Sequence, residues 1–140
     1  MTIFNDPIIR IIKRLEEIEK RIGNLSTAFH TPYPVLNENT PAQLTANVDD
    51  YAPGDYASLL MSADAPRNIS GISDGKKGRE LKILNIGGFN LVFLNQSLLS
   101  VPANRIITTN GASVTLGTND SCVLYYDSTT QRWRFLAITI

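Results

Sequence analysis

The chain has 140 residues, 43% of them hydrophobic and 19% charged, the proportions of one folded globular domain rather than of a disordered chain. Thirteen basic residues balance thirteen acidic ones, so no net field gathers nucleic acid, an anionic membrane surface or cations. Cys122 is the only cysteine, which excludes an internal disulfide and a multi-thiolate metal site and predicts a buried, inert thiol.

MTIFNDP lacks both the basic and the apolar region of a signal peptide, and no later stretch approaches the roughly 18 apolar residues of a membrane span. The expectation is a soluble protein without membrane insertion that is not made as a conventional secretory precursor.

From Ile8 the apolar residues fall at Ile8, Ile11, Leu15, Ile18, Ile22, Leu25 and Phe29, the alternation of three and four that marks a coiled-coil seam. Asn5 or Asp6 can cap such a helix, Pro7 suits its first turn, and Gly23-Asn24 is a plausible end. With Ile8 at position a, the d positions hold Ile11, Ile18 and Leu25; isoleucine at d fits poorly in a parallel dimer and favours three strands. Arg14 at g and Glu19 at the following e position supply an interchain ion pair that favours parallel association.

Ile9 and Ile12 lie outside the strict seam and widen the apolar stripe near the start, which suits a broad trimer core or an attachment tip that docks on another protein. In the competing arrangement the helix packs on its own β domain.

Residues 1–29 are therefore an amphipathic coiled-coil and attachment segment. A proline-containing connector follows over 30–43, where three prolines oppose helix and central-strand pairing. His30, the sole histidine, stands there without a second ligand-type residue at metal spacing.

Residues 44–140 hold eight or nine short strand-like runs bounded by turn residues: 44–51, 55–63, 67–73, 79–86, 89–96, 105–110, 112–117, 121–128 and 131–140. The reading is mainly β, an antiparallel, jelly-roll-like sandwich head behind the helix. Gly87-Gly88 and Asn110-Gly111 are expected to close hairpins, and Asp127 to Thr130 a longer turn. In the last run Trp133, Phe135 and Ala137 are expected on one face, with Arg132 and Arg134 on the other. Ile83 beside Leu84, and Phe93 between Val92 and Leu94, make two runs apolar on both faces, which points to packing between subunits.

Chemistry is hard to find in these residues. The stretch from Gly71 to Gly78 has a lysine among glycines but fails the phosphate-loop spacing and leads into a strand. Asp49, Asp50 and Asp55 do not match a calcium loop. No nucleophile stands with a base, and nothing pairs Glu80 with Asp127 as a glycosidase would require. The expectation is a non-enzymatic protein with no cofactor and no metal. Tyr51, Tyr56 and Trp133 are the candidate glycan contacts, because aromatic faces stack on pyranose rings; core packing is the competing role for each.

Residues 67–135 resemble a β module of tailed-bacteriophage fibre and head-decoration proteins. The shared elements are Asn68-Ile69-Ser70-Gly71-Ile72, a glycine-rich loop, Leu84-Asn85-Ile86-Gly87-Gly88-Phe89-Asn90, Ala103-Asn104-Arg105-Ile106, and the closing Tyr126-Asp127 and Arg132-Trp133 with a threonine between them. The resemblance implies a virion component assembled in the bacterial cytoplasm. It further implies a homotrimer attached at its N-terminus to another virion protein, with its β head outward to cover the shell or to bind a host surface glycan. The seam is short, which favours a short fibre or decoration knob over a long adsorption fibre. A free carbohydrate-binding adhesion module is the alternative, and a small hydrolase the third.

Overall fold

The computed structural model describes residues 6–29 and 37–140, with the side chains of 23–29 outside that description. The chain divides into a unit that contains the helix and a unit, Leu36–Ile140, that contains every strand.

Helix α1 runs over Pro7–Phe29, about 34 Å at 1.5 Å per residue. Asp6 starts it: its Oδ1 accepts the Ile8 N–H at 2.9 Å and its carbonyl accepts the Arg10 N–H at 3.2 Å. Pro7 follows as the first helical residue, where a missing N–H costs nothing. The helix does not stop at Gly23-Asn24; an interior glycine costs only about 1 kcal/mol, and no proline follows before Pro32. It is not long and apolar enough to cross a membrane.

The second unit is mainly β. Its strands are β1 Glu38–Asn39, β2 Ser58–Met61, β3 Arg67–Ile69, β4 Glu80–Asn85, β5 Leu91–Phe93, β6 Ile106–Ile107, β7 Val114–Leu116, β8 Ser121–Asp127 and β9 Arg132–Thr139. They form a six-stranded sheet, β1-β2-β4-β8-β9-β6, and a three-stranded sheet, β3-β5-β7. Glu38 and Asn39, read from sequence as connector, thus belong to a sheet; His30 and the rest of 30–36 lie outside the described residues.

The sheets are mixed, which corrects the antiparallel expectation. Asn39 lies parallel to Leu59 and Leu59 to Ile83; Val48 bridges Ile69, and Ile69 lies parallel to Phe93. Leu44 bridges Ala63 and Tyr51 bridges Ile72, also in parallel. The chain therefore rises in stacked turns of 19 to 24 residues, each laid on the last. Residues 44–51 make only isolated bridges in this stack.

Two expected hairpins are consequently absent. The chain at Gly87-Gly88 leaves β4 in one sheet for β5 in the other, and Asn110-Gly111 separates β6, which pairs with β9, from β7, which pairs with β5. The Asp127–Thr130 turn does close a hairpin, between β8 and β9. A bulge there sets Leu124 opposite Phe135 but Val123 opposite Ala137, so Leu136 is the extra residue. The alternation flips beyond it: Trp133 and Phe135 are buried, whereas Ala137 is exposed instead of sharing their face.

Both sheets contribute to one core, which includes Leu59, Ile83, Phe93, Leu116, Leu124 and Trp133. Phe93 of β5 meets Phe135 of β9 edge to face at 5.6 Å between ring centres. Leu84, Val92 and Leu94 are half-buried rather than enclosed, so the outward faces of β4 and β5 stay partly open.

Asn85 is fully buried at the end of β4. Its Nδ2 donates to the carbonyls of Phe89 at 2.8 Å and Leu116 at 2.9 Å, and its Oδ1 accepts the Gly87 N–H at 3.0 Å. One side chain thus shapes the corner between sheets and ties it to β7. Replacing Asn85 by Ala strands the buried Leu116 carbonyl and takes the side-chain partner from two part-buried groups, the Phe89 carbonyl and the Gly87 N–H, and urea unfolding should show a loss of about 2 kcal/mol or more; a loss below about 1 kcal/mol would mean that water or backbone rearrangement takes over the asparagine's bonds.

Candidate interaction surfaces

The polar residues that suggested chemistry are fastened to neighbouring segments. Asp49 accepts the Ser70 hydroxyl at 2.6 Å, and Ser70 shares a 2.7 Å hydrogen bond with Ser100. Asp50 Oδ1 accepts from the Val101 N–H and from Asn104 Nδ2, while its own N–H donates to Ser100 Oγ. These carboxylates staple one turn of the stack to the next. Among the described residues no group of three or more His, Cys, Asp or Glu is placed to hold a metal ion.

The glycine-rich loop is built for close approach. A Cβ on Gly75 would run into the Tyr126 ring and one on Gly71 into Ser100. Arg79, which ends the loop, donates to the carbonyls of Gly54, Tyr56 and Asp74, and its guanidinium sits 6.0 Å over Trp133. Both terminal nitrogens of its guanidinium are thus engaged by backbone carbonyls. Cys122 is buried on β8, and burial pushes its thiol up to about 12, far from a nucleophilic thiolate.

Of the aromatic candidates, Trp133 is removed from any surface role. It is fully buried, and its Nε1–H donates to the Ile72 carbonyl at 2.7 Å. The indole is large enough to fill the junction of β9 with the stacked turns and has its one donor satisfied there. Tyr51 is half-buried against the core, and Tyr56 is exposed with its ring over Gly54.

The helix presents the opposite picture. Ile8, Ile11, Leu15, Ile18 and Ile22 are 49 to 65% exposed, as is Ile12 at 49%, while Ile9 is half-buried. Leu25 and Phe29 continue the seam on helical backbone, their side chains lying outside the described residues. Arg14 and Glu19 are exposed. Lys13 with Glu17 and Glu16 with Lys20 hold opposite charges four residues apart, which supports the helix on its solvent side.

Two surfaces were missed in the sequence. Leu98, Leu99 and Val101 protrude at 84, 66 and 53% exposure around a buried Ser100; the run SLLSVP resembles a strand end until Ser100 is seen to be its anchor. The second is the outward face of β4, β8 and β9, where Tyr125 is half-exposed although Tyr126 is buried. Alternation in SCVLYYD fixes that difference once one buried residue is known. No protein-family model matches the chain, and no curated protein sequence matches it.

Asp127 organises the closing hairpin: it accepts from the Thr130 hydroxyl at 2.9 Å, from Arg134 Nε at 2.8 Å and from the Thr129 N–H at 2.9 Å. Thr130 foremost, and then Arg134, hold its carboxyl down at about 2. A folded value below the unfolded one means that its stabilisation is complete above about pH 4 and is lost as pH falls through about 2. Urea midpoints of the native chain and of Asp127→Asn should therefore differ near neutrality and draw together as pH falls from 4 through 2; a gap undiminished at pH 2 would assign the effect to something other than the carboxylate's charge.

Proposed function

We propose that the chain is a non-enzymatic structural component of a tailed-bacteriophage virion. It is a homotrimeric short fibre or decoration knob that attaches to another virion protein through its N-terminal helix and carries its two-sheet unit outward as a sandwich-like head. The observation that carries this reading is the row of half-exposed Ile8, Ile11, Leu15, Ile18 and Ile22 on the helix, in a chain whose β unit has a hydrophobic core of its own. An exposed apolar row of that size marks a contact surface, and its three-four spacing suits other helices.

Isoleucine at the d positions supports three copies, and Arg14 with Glu19 supports parallel register. Ile9 and Ile12, with Pro7 and Ile8 beside them, form the attachment tip. The resemblance of residues 67–135 to phage fibre and decoration modules supplies the virion setting, with assembly in the bacterial cytoplasm.

The test is the mass of the full chain in solution. Three chains of 15.4 kDa give about 46 kDa, and the double substitution Ile11→Asp with Ile18→Asp should reduce this to one chain while leaving the β unit folded. A native chain that sediments as a monomer at micromolar concentration would sink the trimer reading.

A further inference from the structure

Along β8 the side chains alternate, so Val123, Tyr125 and Asp127 face outward while Cys122, Leu124 and Tyr126 face the core. Strand register sets Glu80 of β4 opposite Tyr125 and Arg134 of β9 opposite Tyr125 on its other side. Directly opposed Cβ atoms lie about 4.5–5.5 Å apart. The Tyr125 ring is thus flanked by a group that only accepts and a group that only donates hydrogen bonds.

These flanking groups have capacity to spare. Among the described residues the Glu80 and Lys82 side chains make no hydrogen bond or ion pair, and Arg134 spends only Nε, on Asp127. Asp127 itself is saturated by its turn, and Arg132 is committed to Gln96, Thr130 and Gln131. Glu80 and Asp127 share this face, yet a carboxylate so occupied does not serve as a base, so the arrangement suits binding rather than hydrolysis.

Beside the row lies a shallow hollow of about 240 Å³ whose lining includes Leu60, Leu84 and Val123, with the hydroxyl residues Ser58 and Ser121 and the cation Lys82. That is below the roughly 300–1,000 Å³ of a drug-sized site, so it suits a single small ring. An apolar floor, a hydroxyl and ionic rim and an aromatic ring alongside complement a molecule with C–H groups on its faces and hydroxyls on its edge. A second copy of the chain would have to supply partners for Glu80 and Lys82 as it takes them out of water, a demand that sugar hydroxyls and the water around them meet directly.

We propose that this outer face binds a pyranose oligosaccharide, one ring resting on Leu60, Leu84 and Val123 and the next stacked on Tyr125, with Glu80 and Arg134 hydrogen-bonded to its hydroxyls. The site is separate from Tyr51, Tyr56 and Trp133, and it does not depend on the virion reading or on the number of copies.

The experiment applies the full chain to an array of neutral and acidic pyranose oligosaccharides and titrates the sugars retained while amide shifts are followed by NMR. At least one sugar should bind, with shifts centred on Lys82, Val123 and Arg134. Tyr125→Ala and Glu80→Gln should each weaken it by about tenfold or more, while Thr115→Ala on the other sheet leaves it unchanged. Glu80 is exposed, so its conservative variant keeps the test valid if Tyr125→Ala fails to fold. No sugar retained, or retention indifferent to both substitutions, would overturn the proposal. A Tyr125→Ala chain of lowered mass with no sugar bound by the native chain would overturn it too, by assigning the face to contact between copies.

Discussion

The β unit hangs on Trp133. Its indole N–H donates to the Ile72 carbonyl, its backbone N–H to the Arg105 carbonyl, and its ring meets Tyr126 edge to face at 5.3 Å. Ile72 belongs to the second stacked turn, Arg105 precedes β6, and Tyr126 lies on β8. Parallel turns have no tight hairpin to close them locally, so something from far along the chain must hold the stack. A tryptophan does this well, because it fills the junction and offers a single donor that one carbonyl satisfies. Arg79, over the same ring, joins the loops at Gly54, Tyr56 and Asp74 to that point.

The same dependence explains what could and could not be read from sequence. The helix start, the β content and the β8–β9 hairpin are local matters of capping, alternation and turn chemistry, and each was legible. Parallel stacking is not local: Leu59 pairs with Ile83 across 24 residues, and no dipeptide announces it. Gly87-Gly88 and Asn110-Gly111 do supply turns, but a turn residue specifies a change of direction and not the strand that follows as partner. Asn85, which directs the chain from β4 into the other sheet, reads in sequence as a polar residue at a strand end. Its meaning is set by Leu116, 31 residues away. The motif residues Gly71, Asn85, Asn104, Asp127 and Trp133 all prove to be such fasteners, which is why the motifs speak for an architecture rather than for a reaction.

For the candidate surfaces the outcome divides by periodicity. The apolar stripe of α1 was legible because a helix with one such stripe shows it in its spacing. Among the aromatic residues size misled: the largest ring is also the one with most to gain from burial, so Trp133 went inside while Tyr125 stayed at the surface. Two consecutive tyrosines on a strand must face opposite ways, and the position of the core relative to Tyr126 decides which is presented. That position comes from the fold and not from the pair itself.

The two units solve the burial problem in different ways. The β unit encloses a core within one chain. The helix does not: fully covering each of its half-exposed isoleucines and leucine gains about 1.5–3 kcal/mol at most, and only part of that remains to be gained from the present exposure. Five such positions are still comparable with the stability of a small domain. Helix nucleation is costly and propensity alone adds little, so helices draw most of their stability from the packing of an apolar face. In the proposed trimer the contacts that cover the apolar row are therefore also the ones that stabilise the helix. On the trimer proposed above, the β unit can fold before copies meet, and the helix gains its stability when its apolar row is covered.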